Sequence, residues 1–237
     1  MTEEIIALDL ETTGLNPRTD QILELGAARI RNGRVEDTYA AFINIGKKIP
    51  EFIVGLTGIT DEMAEGGLPL GEALDGFLDF CGEAPILGHN ILFDYSFLKQ
   101  KLANAGRNFD REGIDTLALA KKFLPELPSR TLEALCLHYG ISQEKKHRAY
   151  EDALSAYHLY ECLSREFFSV SPVAFEPKQL VYQVKKESLV TISQKRYLND
   201  LIKYHRIETD AVLEKLTKSE ASRMIDNIIS QYGKIKR

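Results

Sequence analysis

No apolar run in this chain approaches the roughly 20 residues that cross a bilayer as a helix. A membrane-spanning helix is therefore not expected. Its three cysteines, Cys81, Cys136 and Cys162, are odd in number, far apart and without CxxC spacing. That pattern excludes a disulfide framework and a thiolate zinc site, and predicts reduced thiols in a core. A basic leader is missing too: the first residues, Met-Thr-Glu-Glu, are acidic where an export signal carries positive charge. The expected compartment is cytoplasmic, with no membrane partner.

What is present is ordinary in amount and uneven in placement. A chain of 237 residues holds one sizeable core, or a main domain with a small appendage. Residues 173–237 carry 13 Lys+Arg against 8 Asp+Glu, while residues 1–172 carry 17 against 27. An acidic body with a basic tail predicts two parts, the second suited to a polyanion.

Hydrophobic patterning orders the body. Residues 5–10 read as a strand. Residues 21–31 alternate as a second, with Ile22, Leu25 and Ala27 or Ala28 available to the core. Asn32-Gly33 is a hairpin-type turn into a third strand over 35–45. Pro50 and the Gly-rich stretch 55–71 break the pattern, apart from a short helix after Thr60. Beyond them come a helix over 70–80, a short strand at 85–88 and a helix over 93–106. A strand over 113–115 follows, with Asp115 capping the helix 116–123. Helices over 131–139, closed by Gly140, and 149–168 complete the body. The fold class expected is α/β: an antiparallel meander, then alternating helices and strands, forming a mixed sheet flanked by helices. Residues 169–190 have the composition of a linker. Residues 191–237 read as a small basic helical module, two helices each opened by a capping serine, Ser193 and Ser219.

The chemistry starts in the first strand. Ile5-Ile6-Ala7-Leu8 runs into Asp9-Leu10-Glu11-Thr12-Thr13-Gly14, and the i, i+2 spacing puts Asp9 and Glu11 on one face. Two acids ending a core strand repel each other and resist desolvation, unless a divalent cation lies between them. Three further spots carry suitable residues. In Gly88-His89-Asn90-Ile91-Leu92-Phe93-Asp94 the acid falls in the first turn of a helix. In His147-Arg148-Ala149-Tyr150-Glu151-Asp152 the histidine precedes a long helix and Asp152 lies about a turn inside it. Thr57-Gly58-Ile59-Thr60 forms a tight loop. Singly, each has a plain structural reading: a strand reaching solvent, a helix-dipole acid, a charged helix start, a turn.

In this order and spacing, Asp9, Glu11, Asp94, His147 and Asp152 resemble the DEDDh family of 3′→5′ exonucleases, a branch of the ribonuclease H-like superfamily. His147 lies five residues before Asp152, the mark of the branch that uses histidine. The resemblance covers residues 4–168, hence an exonuclease domain over 1–168. Thr57-Gly58-Ile59-Thr60 and Asp115-Thr116-Leu117 look most like the proofreading exonucleases of bacterial DNA polymerase III.

The resemblance implies a ribonuclease H-like fold and phosphodiester hydrolysis with two divalent cations, Mg²⁺ or Mn²⁺. Asp9, Glu11, Asp94 and Asp152 would hold the metals and His147 would be the general base. Thr12 would hold the terminal 3′-OH, Leu15 and Ile59 would press on the last bases, and Asn90 and Phe93 would line the groove. The substrate implied is a single-stranded or frayed 3′ end of DNA, in replication or DNA repair. Two alternatives stand beside it: RNA, as in oligoribonuclease-like members, and a nucleic-acid-binding scaffold on an inactive nuclease fold. The tail offers either a basic contact for the nucleic acid backbone or a docking face for a replication or repair protein.

Overall fold

The structure is a computed structural model and describes residues 4–143, 147–185, 188–207, 209 and 212–235. Residues 144–146, in the polar stretch between the helices expected over 131–139 and 149–168, lie outside them. Contacts divide the chain into two compact units, Met1–Val184 and Lys185–Arg237.

The first unit is built on a mixed sheet of seven strands, in the order β4-β3-β2-β1-β5-β6-β7. The strands β1 (Glu4–Thr12), β2 (Ile22–Arg31) and β3 (Arg34–Asn44) form the expected antiparallel meander. Asn32 and Gly33, at φ of 52° and 76°, take the left-handed turn between β2 and β3. Strand β5 (Ile86–Gly88) lies parallel to β1, and β6 (Glu112–Asp115) parallel to β5. Two short strands finish the edges. β4 (Leu68–Pro69) runs parallel to β3, and β7 (Lys178–Gln179) runs antiparallel to β6.

Alternation along β1 assigns the two faces. Ile6, Leu8 and Leu10 pack with α3 (Leu70–Cys81) and α4 (Leu92–Asn104) through Leu74, Phe77, Phe97 and Leu98. Ile5 and Ala7 pack on the other face with Ala153, Ala156 and Tyr157 of α7 (Ala149–Phe167). Burying a side chain such as Ile6 or Leu8 completely contributes about 1.5–3 kcal/mol, which anchors β1 against the acids that end it. Asp9 and Glu11 share the parity of Ile5 and Ala7, so they rise on the face that carries α7.

The remaining helices are α1 (Glu51–Thr57), α2 (Asp61–Glu65), α5 (Thr116–Phe123) and α6 (Leu132–Tyr139). The sequence gives no warning of α1, because Pro50 and Gly55 read as breakers. Pro50 instead stands outside the helix as its N-cap, where its missing N–H costs nothing. Asp115 caps α5 as expected, accepting from Leu117 and Ala118 amides at 2.9 and 3.3 Å. Gly140 closes α6 at φ of 67°.

The stretch read as a linker carries structure in its first half. Pro172–Phe175 form a 3-10 turn whose Phe175 is buried, stacked on Phe123 at 5.6 Å, and Lys178–Gln179 pair with β6 as β7. Aromatic packing outweighs the Ser/Pro composition on which the linker reading rests. In the second unit, α8 (Ile192–His205) and α9 (Lys218–Tyr232) enclose Leu198, Leu201, Ala221 and Ile228. Their caps correct the serine assignment. Thr191 and Thr217 are the N-caps, each in a reciprocal capping box with Gln194 or Glu220 three residues on. No helix of the described residues is long and apolar enough to cross a membrane.

Candidate active site

Four elements converge at the carboxyl end of β1. Asp9 and Glu11 come from that strand, Asp94 from the first turn of α4, Asp152 from the first turn of α7, and His147 from the segment entering α7. Asp9, Glu11, His147 and Asp152 line one cleft of about 400 Å³ with His89, Thr131, Leu132 and Glu133. Glu11, His147 and Asp152 bring one ligand atom each within 4.8 Å of one another. Asp94 is buried beside them, and its Oδ1 accepts the Leu10 amide at 3.0 Å, between Asp9 and Glu11 in the chain.

Local backbone explains the placement. His147 is left-handed at φ of 57°, and its amide donates to Asp152 Oδ2 at 3.1 Å. Histidine and aspartate of the third motif are thus tied together. Gly26, opposite Asp9 on β2, lets α7 approach: a Cβ there would fall 2.1 Å from the Tyr150 nitrogen. Near it, Glu24 is 4% exposed and accepts from Arg148 Nη2 at 3.0 Å and from the Ala149 amide at 3.3 Å. Glu24 and Arg148 escape the sequence reading. The signal available was one acid in Ile22-Leu23-Glu24-Leu25, whose other members are all buried apolar residues.

The electrostatics is that of an acid cluster. Burial, then the charges of Asp94, Glu11 and Asp152, raises the Asp9 carboxyl well above its usual range. Burial likewise raises Asp94, against the opposing hydrogen bonds of its own amide and that of Leu10. Glu11 is pushed up to about 7 by burial and by Asp152 and Glu24, with Arg148 opposing. Burial raises Asp152 as well, partly offset by His147. Acids so disposed ionise together only when a strong positive charge joins them, and their hard oxygen donors suit a divalent cation of the Mg²⁺ or Mn²⁺ kind. The residues fit such an ion.

His89 is settled differently. Its Nδ1 lies 2.9 Å from Thr116 Oγ1 and its Nε2 lies 2.9 Å from the Arg130 carbonyl, so both ring nitrogens are engaged in tying β5 to α5 and the following loop. The expected substrate contacts are placed unevenly. Thr12 stands at the strand end, its hydroxyl donating to the Gly14 carbonyl at 2.7 Å. Leu15 is exposed on the loop beyond. Asn90 is left-handed at φ of 68°, its amide donating to Asp115 Oδ1 at 2.9 Å. Phe93 is partly buried against Phe97, their centroids 5.0 Å apart. Ile59 corrects its assignment: it is fully buried with Leu23, Ile53 and Ala64, presents no surface, and anchors the loop instead.

The chain belongs to the exonuclease family of the RNase T type, whose model matches residues 6–160. Among curated relatives, DNA polymerase III PolC-type of Clostridium perfringens is 35% identical over 151 residues, covering 64% of this chain and 10% of that protein. The PolC-type enzyme of Thermotoga maritima is 40% identical over 149 residues, covering 62% and 11%. The chain thus spans about a tenth of the length of these relatives. Escherichia coli exonuclease I in complex with a dT13 oligonucleotide shares the fold at a TM-score of 0.64 and 20% identity, covering 71% of this chain and 42% of that one. The nuclease domain of 3′hExo, a DEDDh family member bound to rAMP, shares it at 0.62 and 16% identity, covering 76% and 98%.

Proposed function

We propose that this chain is a divalent-cation-dependent 3′→5′ exonuclease that releases nucleoside monophosphates from single-stranded or frayed 3′ ends of DNA. The observation that carries the reading is the single cleft containing Asp9, Glu11, Asp152 and His147, with Asp94 buried behind it. Asp9, Glu11, Asp94 and Asp152 would hold two cations. When bound, such ions lower the pKa of water and stabilise the charge that develops on the leaving 3′-oxygen. His147, at the mouth of the cleft and tied to Asp152, accepts a proton from the attacking water. Thr12 and Asn90 flank the strand end where the terminal sugar and phosphate would sit, and Leu15 and Phe93 offer apolar surface to the bases. This division of labour requires no base-specific contact, as suits an enzyme that reads a free 3′ end.

DNA is preferred as substrate because the curated relatives named above are DNA polymerases III of the PolC type. RNA is the second reading, favoured by the likeness to a 3′hExo nuclease domain bound to rAMP. Proofreading or repair alongside a polymerase partner follows from the first reading. The basic second unit is the part suited to hold that partner or the nucleic acid backbone.

Matched 5′-labelled DNA and RNA oligomers, incubated with Mg²⁺ or Mn²⁺, test the assignment. EDTA and a 3′-phosphate block serve as controls. A ladder shortening one nucleotide at a time from the 3′ end, abolished by EDTA, is expected with DNA. Cleavage of RNA alone transfers the assignment to the second reading, and cleavage of neither favours a binding scaffold.

A further inference from the structure

Strand β2 carries an acid that the proposed reaction does not use. Glu24 faces Glu11 in register across β1 and β2, yet both of its oxygens are already engaged. Oε1 accepts from Arg148 Nη2 at 3.0 Å and Oε2 from the Ala149 amide at 3.3 Å. The Arg148 guanidinium lies over the Phe42 ring, 4.6 Å from its centroid, which fixes the plane it presents to the carboxylate. Helix α7 has no side-chain cap of its own, its N-cap residue being Arg148. Glu24 fills that place from another element, accepting an amide that the helix leaves without an intrahelical partner. Two residues along the same face, Gly26 lets the Ala149–Tyr150 backbone rest on the strand.

Glu24 and Gly26 together form a seat for the first turn of α7. That turn bears Asp152, and His147 stands two residues before the helix, in a left-handed conformation that a histidine keeps only when its surroundings fix it.

We propose that Glu24 is a positioning residue. Through Arg148 and the Ala149 amide it fixes the backbone that carries His147 and Asp152, and so sets the base against the carboxylates of β1. The proposal rests on the exonuclease reading of the cleft. Both oxygens of Glu24 meet protein donors, which gives the residue the part of a brace.

The test uses the full chain with Glu24→Gln and Glu24→Ala, each alone and combined with His147→Ala. Glutamine keeps an acceptor for the Ala149 amide and removes the charge that holds Arg148, so it decides the matter if the alanine variant fails to fold. Glu24→Gln is expected to lower kcat on a single-stranded DNA oligomer about 10-fold or more, with KM within about 3-fold of wild type. In the His147→Ala background the same change is expected to cost little more, because the group it positions is gone. Unchanged kcat, or fully additive losses, overturns the proposal.

Hydrogen exchange on the metal-free protein gives a readout independent of turnover. The amides of Ala149 and Asp152 are expected to exchange about 10-fold faster or more in Glu24→Gln, with β1 still protected. Equal exchange overturns the brace. If wild type cleaves neither DNA nor RNA, the exonuclease reading fails while the exchange comparison still decides the proposal.

Discussion

The amide of Leu10 donates to the carboxylate of Asp94 at 3.0 Å, joining residues 84 positions apart. This bond sets the start of α4 against the end of β1, so that one acid from a helix stands beside two from a strand. The groups acting on Asp94 are buried surface, two amides, and the acids Glu11 and Asp115. Amides orient this carboxylate without neutralising it, which leaves its charge for a cation to meet.

Asp94→Asn keeps the oxygen that accepts from Leu10 and removes only the charge. It is expected to retain the wild-type circular dichroism spectrum while turnover falls about 10³-fold or more, the scale for losing a group aimed at developing charge. Asp9→Ala and Asp152→Ala are expected to abolish activity in the same way. A ladder assay with folded variants checks all three, and an undiminished rate in any of them contradicts the cation site.

His147→Ala removes the proton acceptor and leaves the carboxylates. A loss of about 10²–10⁴ in single-turnover rate is expected, the range for a general base. Cation-induced stabilisation is expected to persist, because the four carboxylates remain. Wild-type turnover throughout the neutral pH range would remove His147 from that role.

The acids predict an unusual pH dependence for the metal-free protein. Glu11 titrates near 7 when folded against an ordinary value of 4.5, so the folded state binds its proton more tightly than the unfolded chain does. The stability it contributes is fully present below about 4.5 and is lost as pH rises through about 7. Asp9 and Asp94, both raised well above their usual range, add in the same direction. The Tm without cations is therefore expected to fall across this interval. Mg²⁺ or Mn²⁺ is expected to restore it most at the alkaline end, where the carboxylates are charged. Differential scanning calorimetry with and without EDTA measures both slopes.

The parts of the site carried by periodic elements are the parts legible from the residues. Asp9 and Glu11 stand out as i, i+2 acids ending an apolar run, whereas Asp94 and Asp152 each read singly as ordinary helix-start acids and join them only through the resemblance to the DEDDh family. Tertiary relationships leave no such mark. Glu24 differs from an ordinary outward-facing acid in meeting Arg148 and the Ala149 amide, 124 and 125 residues away. Ile59 reads as a loop residue free to touch a base, but α1 and α2 close over it. The caps of α8 and α9 were within reach, since Thr-x-x-Gln and Thr-x-x-Glu are capping-box spacings. Ser193 and Ser219, two residues further on, offer the same hydroxyl and so compete with them in the sequence. Phe175 packs the first half of the 169–190 stretch on Phe123, a contact that composition does not register.

Gly26→Ala tests whether the seat of α7 is as close as the backbone indicates. The added methyl would lie 2.1 Å from the Tyr150 nitrogen and 2.3 Å from the Ala149 carbonyl carbon, both main-chain atoms that cannot rotate aside. Helix α7 must therefore lift from β2, straining a contact that also carries His147 and Asp152. Overpacking of this kind costs about 1–3 kcal/mol, expected as a lowered urea midpoint with an unchanged m-value. The functional loss should exceed what instability explains, because lifting α7 separates Asp152 from Asp9 and Glu11 while the folded fraction stays high. The control is an alanine at Gly55, a helical position in α1 with open space around its Cβ. Gly55→Ala is expected to leave both stability and turnover near wild type. If Gly26→Ala does the same, the close approach of α7 to β2 is not what holds the third motif in place.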